Sequence, residues 1–226
     1  MDQFYKTELL IGNSGVQKLK NSNVIIFGIG GVGGYTCEML VRAGVGNLTI
    51  VDFDVVDLTN INRQIIALNS NVGNFKVDVM EKRLKEINPN LNLHKINDRV
   101  TIENVSEILN NNYNYVIDAI DNVTNKIDLI VEAHNKGLNI ISAMGAGNRI
   151  QIPEFKVSDI YKTYNDGLAK IMRKKLKERG ILKHDVVFSS NIATPCGNEI
   201  GSISYYPAMC GCVLAGYVIN ELLKNG

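Results

Sequence analysis

The sequence predicts an α/β fold: a mostly parallel sheet with helices on both faces, plus a C-terminal elaboration that contains a basic helix. Three observations carry that expectation. Short β-branched runs alternate with amphipathic stretches through the first two thirds of the chain, the pattern of βαβ units. A glycine-rich turn, Gly28-Ile29-Gly30-Gly31-Val32-Gly33, follows the first run and opens the next amphipathic stretch. The 226 residues are 45% apolar, which suits a substantial core and excludes a disordered or fibrous chain.

In chain order, residues 24–27, 48–51, 91–96, 115–119 and 138–143 read as strands. Residues 32–43, 76–87, 102–109 and 124–136 read as the helices between them. Gly44 and Gly137 stand where helix C-caps belong, and Asn88-Pro89-Asn90 ends a helix. After Ala143 the pattern changes. A glycine-rich corner, Met144-Gly145-Ala146-Gly147, precedes a strand at 154–157, a basic helix at about 166–179 and a strand at 186–188. A polar loop over 189–200, a last strand at 203–205 and a closing helix at 208–223 complete the chain. No linker rich in Pro or Gly separates two domains, so one elaborated domain is expected.

Glycines between a strand and a helix let the backbone approach phosphate oxygens, while the helix N-terminus offers unpaired N–H groups. The next strand ends at Asp52, 24 positions after Gly28, near the spacing of a carboxylate that accepts from ribose hydroxyls. This reads as a Rossmann-like nucleotide site; the alternative is tight helix-on-strand packing with no ligand. The pattern alone does not separate NAD from ATP. A dehydrogenase usually adds a substrate domain of ~150 residues, and only about 80 residues follow Ala143 here. Arg63, in Thr59-Asn60-Ile61-Asn62-Arg63, joins Lys76 and Asp121-Asn122. Cations for phosphates and a carboxylate for Mg2+ suit attack at a triphosphate's α-phosphorus. Taken singly, Arg63 and Lys76 also read as ordinary surface charges.

With these residues the chain resembles the ubiquitin-activating-enzyme-like adenylyltransferases, the group containing the thiamine and molybdopterin sulfur-carrier activators. The resemblance runs through the glycine turn, Ala43-Gly44-Val45-Gly46, Val51-Asp52-Phe53-Asp54, residues 59–64, Lys76 and residues 118–122, and covers about 20–145. It implies that Gly31, Asp52, Asn60, Arg63, Lys76, Asp121 and Asn122 contact ATP beside the turn glycines Gly28, Gly30 and Gly33. Arg63, Lys76 and Asp121 form the implied catalytic set, with Asp121 also near Mg2+. Members of the group activate a carboxylate as an acyl-adenylate and are typically homodimers, in which an N-terminal arginine reaches the partner's ATP. Lys6 stands in the corresponding arm here.

Within that group the C-terminal third looks most like the tRNA threonylcarbamoyladenosine dehydratases, through residues 142–149, 157–163, 166–169 and 201–207. Asp166-Gly167 and Gln151-Ile152 replace Asp-Pro pairs usual in that family. The resemblance implies ATP-dependent cyclisation of the threonylcarbamoyl group on the adenosine beside the anticodon. The alternative within the group is activation of a ubiquitin-like sulfur-carrier protein, with a carrier or sulfur-relay partner. The implied division is an arm (1–20), a nucleotide-binding core (21–147) and an elaboration for substrate and dimer contacts (148–226).

The net charge of +1 gives no overall push toward nucleic acid. Residues 161–185 nevertheless hold eight basic and three acidic side chains, a net +5 that leaves −4 for the rest. Leu168, Ile171, Met172 and Leu176 recur at helical spacing and are expected to face the protein. Lys170, Arg173, Lys174, Lys175 and Lys177 would then face outward as a tRNA-binding surface. A solvated helix face is the plainer reading. No aromatics interleave, so recognition would be of RNA shape and backbone.

The longest mostly apolar stretch, residues 207–219, spans 13 residues, short of the roughly 20 that cross a bilayer. The N-terminus lacks a signal-peptide pattern, and four cysteines (Cys37, Cys196, Cys210, Cys212) read as reduced thiols. A cytoplasmic protein without membrane insertion is expected. The paired Cys-x-x-Cys motifs of zinc-binding relatives are missing, so no zinc is expected. Cys196 reads as an incidental thiol or as a sulfur-accepting one, and the other three as small core residues. His94, His134 and His184 read as scattered, without partners or chemistry.

Overall fold

The computed structural model describes residues 2–194, 197 and 199–224. Among these, the strands are β1 (Asn23–Phe27), β2 (Asn47–Val51), β3 (Asn92–Ile96), β4 (Tyr115–Asp118), β5 (Ile140–Ala143), β6 (Phe155–Asp159) and β7 (Asp185–Ser189). They form one sheet in the order β3-β2-β1-β4-β5-β7-β6. Every neighbouring pair is parallel except β6 with β7. The helices are α1 (Tyr5–Asn21), α2 (Gly33–Ala43), α3 (Lys76–Ile87), α4 (Val105–Ile108), α5 (Val123–Asn135), α6 (Gly167–Glu178) and α7 (Tyr205–Lys224).

The β-branched runs become central strands because a parallel sheet covered on both faces needs apolar side chains at every position. Along β1 the side chains alternate between two cores. Val24 and Ile26 join Leu40, Leu48 and Leu214 under α2 and α7, while Ile25 and Phe27 join Leu129, Ile130 and Met172 under α5 and α6. The edge strands β3 and β6 carry mostly exposed or half-buried residues. Burying one such apolar side chain contributes about 1.5–3 kcal/mol, so the two clusters supply most of the driving force.

Two expectations fail. The strand expected at 203–205 is absent, and α7 starts at Tyr205. Pro207 falls in its first turn, where a missing N–H costs no helical hydrogen bond. With 20 residues, α7 is also long and apolar enough to cross a membrane by length and composition, where 13 apolar residues were expected. In this fold it is a core helix: Tyr206, Cys210, Leu214, Ala215 and Val218 are buried, and Gly211 packs on the first turn of α2. The arm is helical but broken at Gly12, leaving Leu9 and Leu10 exposed before the break and Val16 and Leu19 buried after it.

The histidines also differ from expectation. His94 is exposed, but His134 and His184, 50 positions apart, meet with Nε2 and Nδ1 separated by 3.2 Å. His184 Nε2 also lies 2.7 Å from Ser142 Oγ. Burial, reinforced by His134 and Lys126, pushes the His184 pKa down to about 3. An unfolded histidine titrates near ~6.5, so between that value and about 3 the unfolded chain holds a proton that the native chain does not. The stability is complete above that window and is lost as pH falls through it, by up to ~1.4 kcal/mol per pH unit. In urea unfolding, the loss between pH 7 and pH 5 should be about 2 kcal/mol larger for the native sequence than for His184→Gln. Equal losses would refute this account.

Candidate functional site

Strand order reverses between β1 and β4, so the loops leaving them diverge and open a cleft at the C-terminal ends of the strands. The cleft encloses about 840 Å³. The glycine turn after β1, Asp52–Asp54 after β2, Asp98–Val100 after β3, Asp121 and Asn122 after β4, and Met144–Gly147 after β5 line it. Arg63, Gln64 and Lys76 line it too. A second cleft of about 970 Å³, bounded by α2, α3 and parts of 65–75, contains none of the expected site residues.

The glycines of the turn have different duties. Gly28 has φ +86, and a Cβ on it would lie 2.7 Å from the Ala119 carbonyl oxygen. A Cβ on Gly33 would lie 1.8 Å from the Gly28 carbonyl oxygen. Both are glycine so that three backbones can meet, and Gly33 does not line the cleft. Gly30 lines it with room to spare: its nearest neighbour would be Gln64 Nε2 at 3.8 Å.

Asp52 braces the turn. Its Oδ2 accepts the Ile29 N–H at 2.6 Å and its Oδ1 the Asp54 N–H at 2.9 Å. Burial raises its pKa, against the opposing pull of Lys76 and these two amides. Lys76 opens α3 and is buried, with Nζ 2.7 Å from Asp54 Oδ2. Arg63 is half-buried and donates through Nη1 to Thr59 O (2.8 Å) and Asn62 Oδ1 (2.9 Å). Asn60 does not line the cleft; its Oδ1 accepts the Asp57 N–H at 3.1 Å and so builds the short turn that carries Arg63. The Arg99 guanidinium lies 4.2 Å from the Phe53 ring centroid and forms one wall.

Two residues here escaped the sequence reading. Gln64 is 7% exposed and its Oε1 has no hydrogen-bond partner among the described residues, an unsatisfied acceptor in the wall of the cleft. Lys126 is fully buried, 2.9 Å from Asp118 Oδ2, and donates to Ile120 O at 2.9 Å. Asp118 Oδ1 accepts the Ile120 N–H at 3.0 Å. Burial raises the Asp118 pKa, and the Lys126 charge pulls it back. The pair thus holds from below the loop that presents Asp121, while Asn122 caps α5 through the Asn125 N–H. The available signal was Lys126 four residues after the cap, one position before the apolar residue Ile127.

On the basic helix α6, Ala169, Met172 and Leu176 are buried as an inward face requires. Ile171 is not: it is 50% exposed and, with half-buried Leu168, lines the cleft. Lys170, Lys174, Lys175 and Lys177 are exposed. Lys175 sits 3.5 Å from Glu178, and Arg173 folds back onto Thr163. Lys6, on the arm, is exposed. Cys196 lies outside the described residues. Cys37 and Cys210 are buried and Cys212 is half-buried; burial raises all three thiol pKa values, that of Cys210 to about 12. No group of three or more His, Cys, Asp or Glu side chains among the described residues could hold a metal ion.

The sequence model of the ThiF family matches residues 5–226. The tRNA threonylcarbamoyladenosine dehydratase of Bacillus subtilis is 37% identical over 244 residues, covering 100% of this chain and 96% of that protein. The enzyme of the same name from Haemophilus influenzae is 40% identical, covering 92% and 88%. Among solved structures, the E. coli enzyme in complex with ATP superposes with a TM-score of 0.93 at 34% identity, covering 99% and 96%.

The division of duties among the glycines is testable. Gly33→Ala should cost more than ~3 kcal/mol, because backbone must shift to admit the methyl group. Gly30→Ala should leave the thermal midpoint within about 2 °C while weakening nucleotide affinity. Equal thermal shifts in the two variants would contradict the assignment.

Proposed function

The chain belongs to the ThiF family, and from that premise we propose that it is an ATP-dependent tRNA threonylcarbamoyladenosine dehydratase. The observation that carries the choice of RNA is the placement of α6. The helix with the outward lysines also supplies Leu168 and Ile171 to the wall of the cleft. A substrate held by its phosphates on α6 therefore lies at the rim of the same cavity. Activation of a carrier protein's C-terminus would make no use of that cationic face.

The cleft has the donors and the unsatisfied acceptor that ATP needs. Amides of the glycine turn and the N-terminus of α2 favour phosphate, Arg63 and Lys76 add positive charge, and Asp52 faces the ribose hydroxyls. Gln64 Oε1 offers an acceptor without a protein partner. Asp121 would hold Mg2+, which needs only one or two carboxylates when phosphates complete its shell, and which would neutralise triphosphate charge. The carboxylate of the threonylcarbamoyl group attacks the α-phosphorus and pyrophosphate leaves. A nitrogen of the same group then attacks the activated carbonyl carbon, AMP leaves, and the ring closes with the net loss of one water. Because that nitrogen is already attached to its target, the second step asks mainly for positioning.

In this reading residues 1–20 form the arm, 21–147 bind the nucleotide and 148–226 serve the substrate and dimer contacts. The protein works in the cytoplasm as a homodimer whose Lys6 arm approaches the partner's site. It acts as a ligase, with tRNA as its substrate and a sulfur-relay or sulfur-carrier protein as a candidate further partner.

Incubation of threonylcarbamoyl-modified tRNA with enzyme and ATP should shift the modified nucleoside by the mass of one water. No shift, together with adenylation of a carrier's terminal glycine, would replace this reading with carrier activation. Asp121→Ala should lower turnover by about 100-fold or more with the fold preserved. Lys174→Glu combined with Lys175→Glu should weaken tRNA binding by about tenfold and flatten its salt dependence by up to ~2 in slope. ATP affinity should be unchanged, and an equal loss of both would point to misfolding.

A further inference from the structure

The cationic helix and the nucleotide cleft are tied by two buried charged side chains that lie outside the nucleotide set. Asp166 Oδ1 accepts the Ala169 N–H at 2.9 Å and caps α6; its Oδ2 accepts the Gly145 N–H at 3.0 Å from the glycine-rich corner after β5. Glycine at 145 eases this approach, since a Cβ would lie a tight 3.2 Å from the carboxylate. Arg149 closes the other side. It donates to Gly145 O (2.9 Å), Gly147 O (3.1 Å), Asn165 O (2.8 Å) and Asn191 O (3.1 Å), with Nη2 3.9 Å from Asp166 Oδ2. The two residues are 4% and 5% exposed.

A buried ion pair is a poor source of stability, because desolvation offsets most of its attraction. What this pair provides is geometry. One guanidinium joins three separate segments: the corner that lines the cleft, the residue before the α6 cap, and the loop after β7. Backbone strain marks the same place. Among the described residues, the non-glycine positions with left-handed backbone are Asn148 (φ 58) and Asn165 (φ 55), which adjoin Arg149 and Asp166 in the chain. Such conformations persist where surrounding contacts over-determine them.

We infer that Arg149 and Asp166 are positioning residues that lock the RNA-facing helix α6 to the glycine-rich corner in the wall of the ATP cleft. The inference rests on the proposed function. An RNA held on α6 then presents its modified base to ATP at one fixed offset. Neither residue lines the cleft or the exposed face of α6, so loosening the clamp leaves each substrate bound but misaligned with the other, and displacements near 1 Å cost about 100-fold in rate.

The test uses Asp166→Asn and Arg149→Lys in the full chain. An asparagine oxygen still caps Ala169 but leaves the Gly145 amide facing an NH2 donor, which severs the tie to the corner and spares the helix. Lysine keeps the charge at 149 and loses the fork. Four quantities are read: ATP Kd, Kd for threonylcarbamoyl-modified tRNA, kcat at saturation of both, and the thermal midpoint. We expect kcat to fall at least tenfold in both variants, each Kd to stay within about twofold, and Asp166→Asn to melt within a few degrees of the native sequence. A merely structural role would lower kcat only in proportion to the folded fraction, and that result overturns the inference. Unchanged kcat in Asp166→Asn overturns it as well. If the native sequence itself fails to dehydrate the tRNA, the functional reading falls and this inference with it. Dehydration by the native sequence with unaffected variants sinks the clamp alone.

Discussion

The backbones of β1, α2 and the loop after β4 converge at Gly28, with no room for a methyl group on either Gly28 or Gly33. This contact sits at the topological switch point, where the strands on either side of β1 send their connections in opposite directions. It sets the depth of the cleft, aims the α2 N-terminus into it, and brings Asp52 within 2.6 Å of the Ile29 amide. The rest of the site hangs on that junction. Lys76 and Arg63 on one side and Asp121 on the other come from elements whose spacing depends on how closely α2 approaches the sheet.

Sheet hydrogen bonds end where the loops begin, so the loops around the cleft need other supports. Two buried ion pairs supply them. Lys126 with Asp118 supports the loop bearing Asp121, and Arg149 with Asp166 supports the corner at the opposite wall. Removing one partner from a closely paired, fully buried couple such as Lys126 with Asp118 typically costs about 3–5 kcal/mol through the charge left behind. Both pairs reach backbone groups through donors or acceptors that an apolar substitute would lack. The fold accepts their desolvation and obtains loops of fixed shape.

Much of the architecture was legible in residue patterns. The helix read at 76–87 has those bounds, because an amphipathic face and the Asn88-Pro89 stop are local signals. The glycine turn and Asp52 were legible for the same reason: a tight turn and a strand end recur at fixed spacing. Ile171 was misplaced because helical periodicity finds an apolar stripe without saying whether a core or a cavity faces it. The local duty of Asn60 has no signature in its spacing: its oxygen accepts the Asp57 amide and shapes the turn that carries Arg63. The 203–205 segment has strand-forming residues, but it lies where a helix had to begin packing on α2.

The sequence by itself determined the alternation of elements, the glycine junction and the segregation of positive charge into residues 161–185, all of which follow from neighbours a few positions apart. Only the tertiary structure decided which side chains share an environment. His134 meets His184 across 50 residues, and Arg149 reaches Asn191 across 42. Gln64 is left with an unsatisfied oxygen in the cleft wall. Burial and polar pairing are properties of the packed chain: each depends on which groups displace water from which others, and no local spacing encodes that.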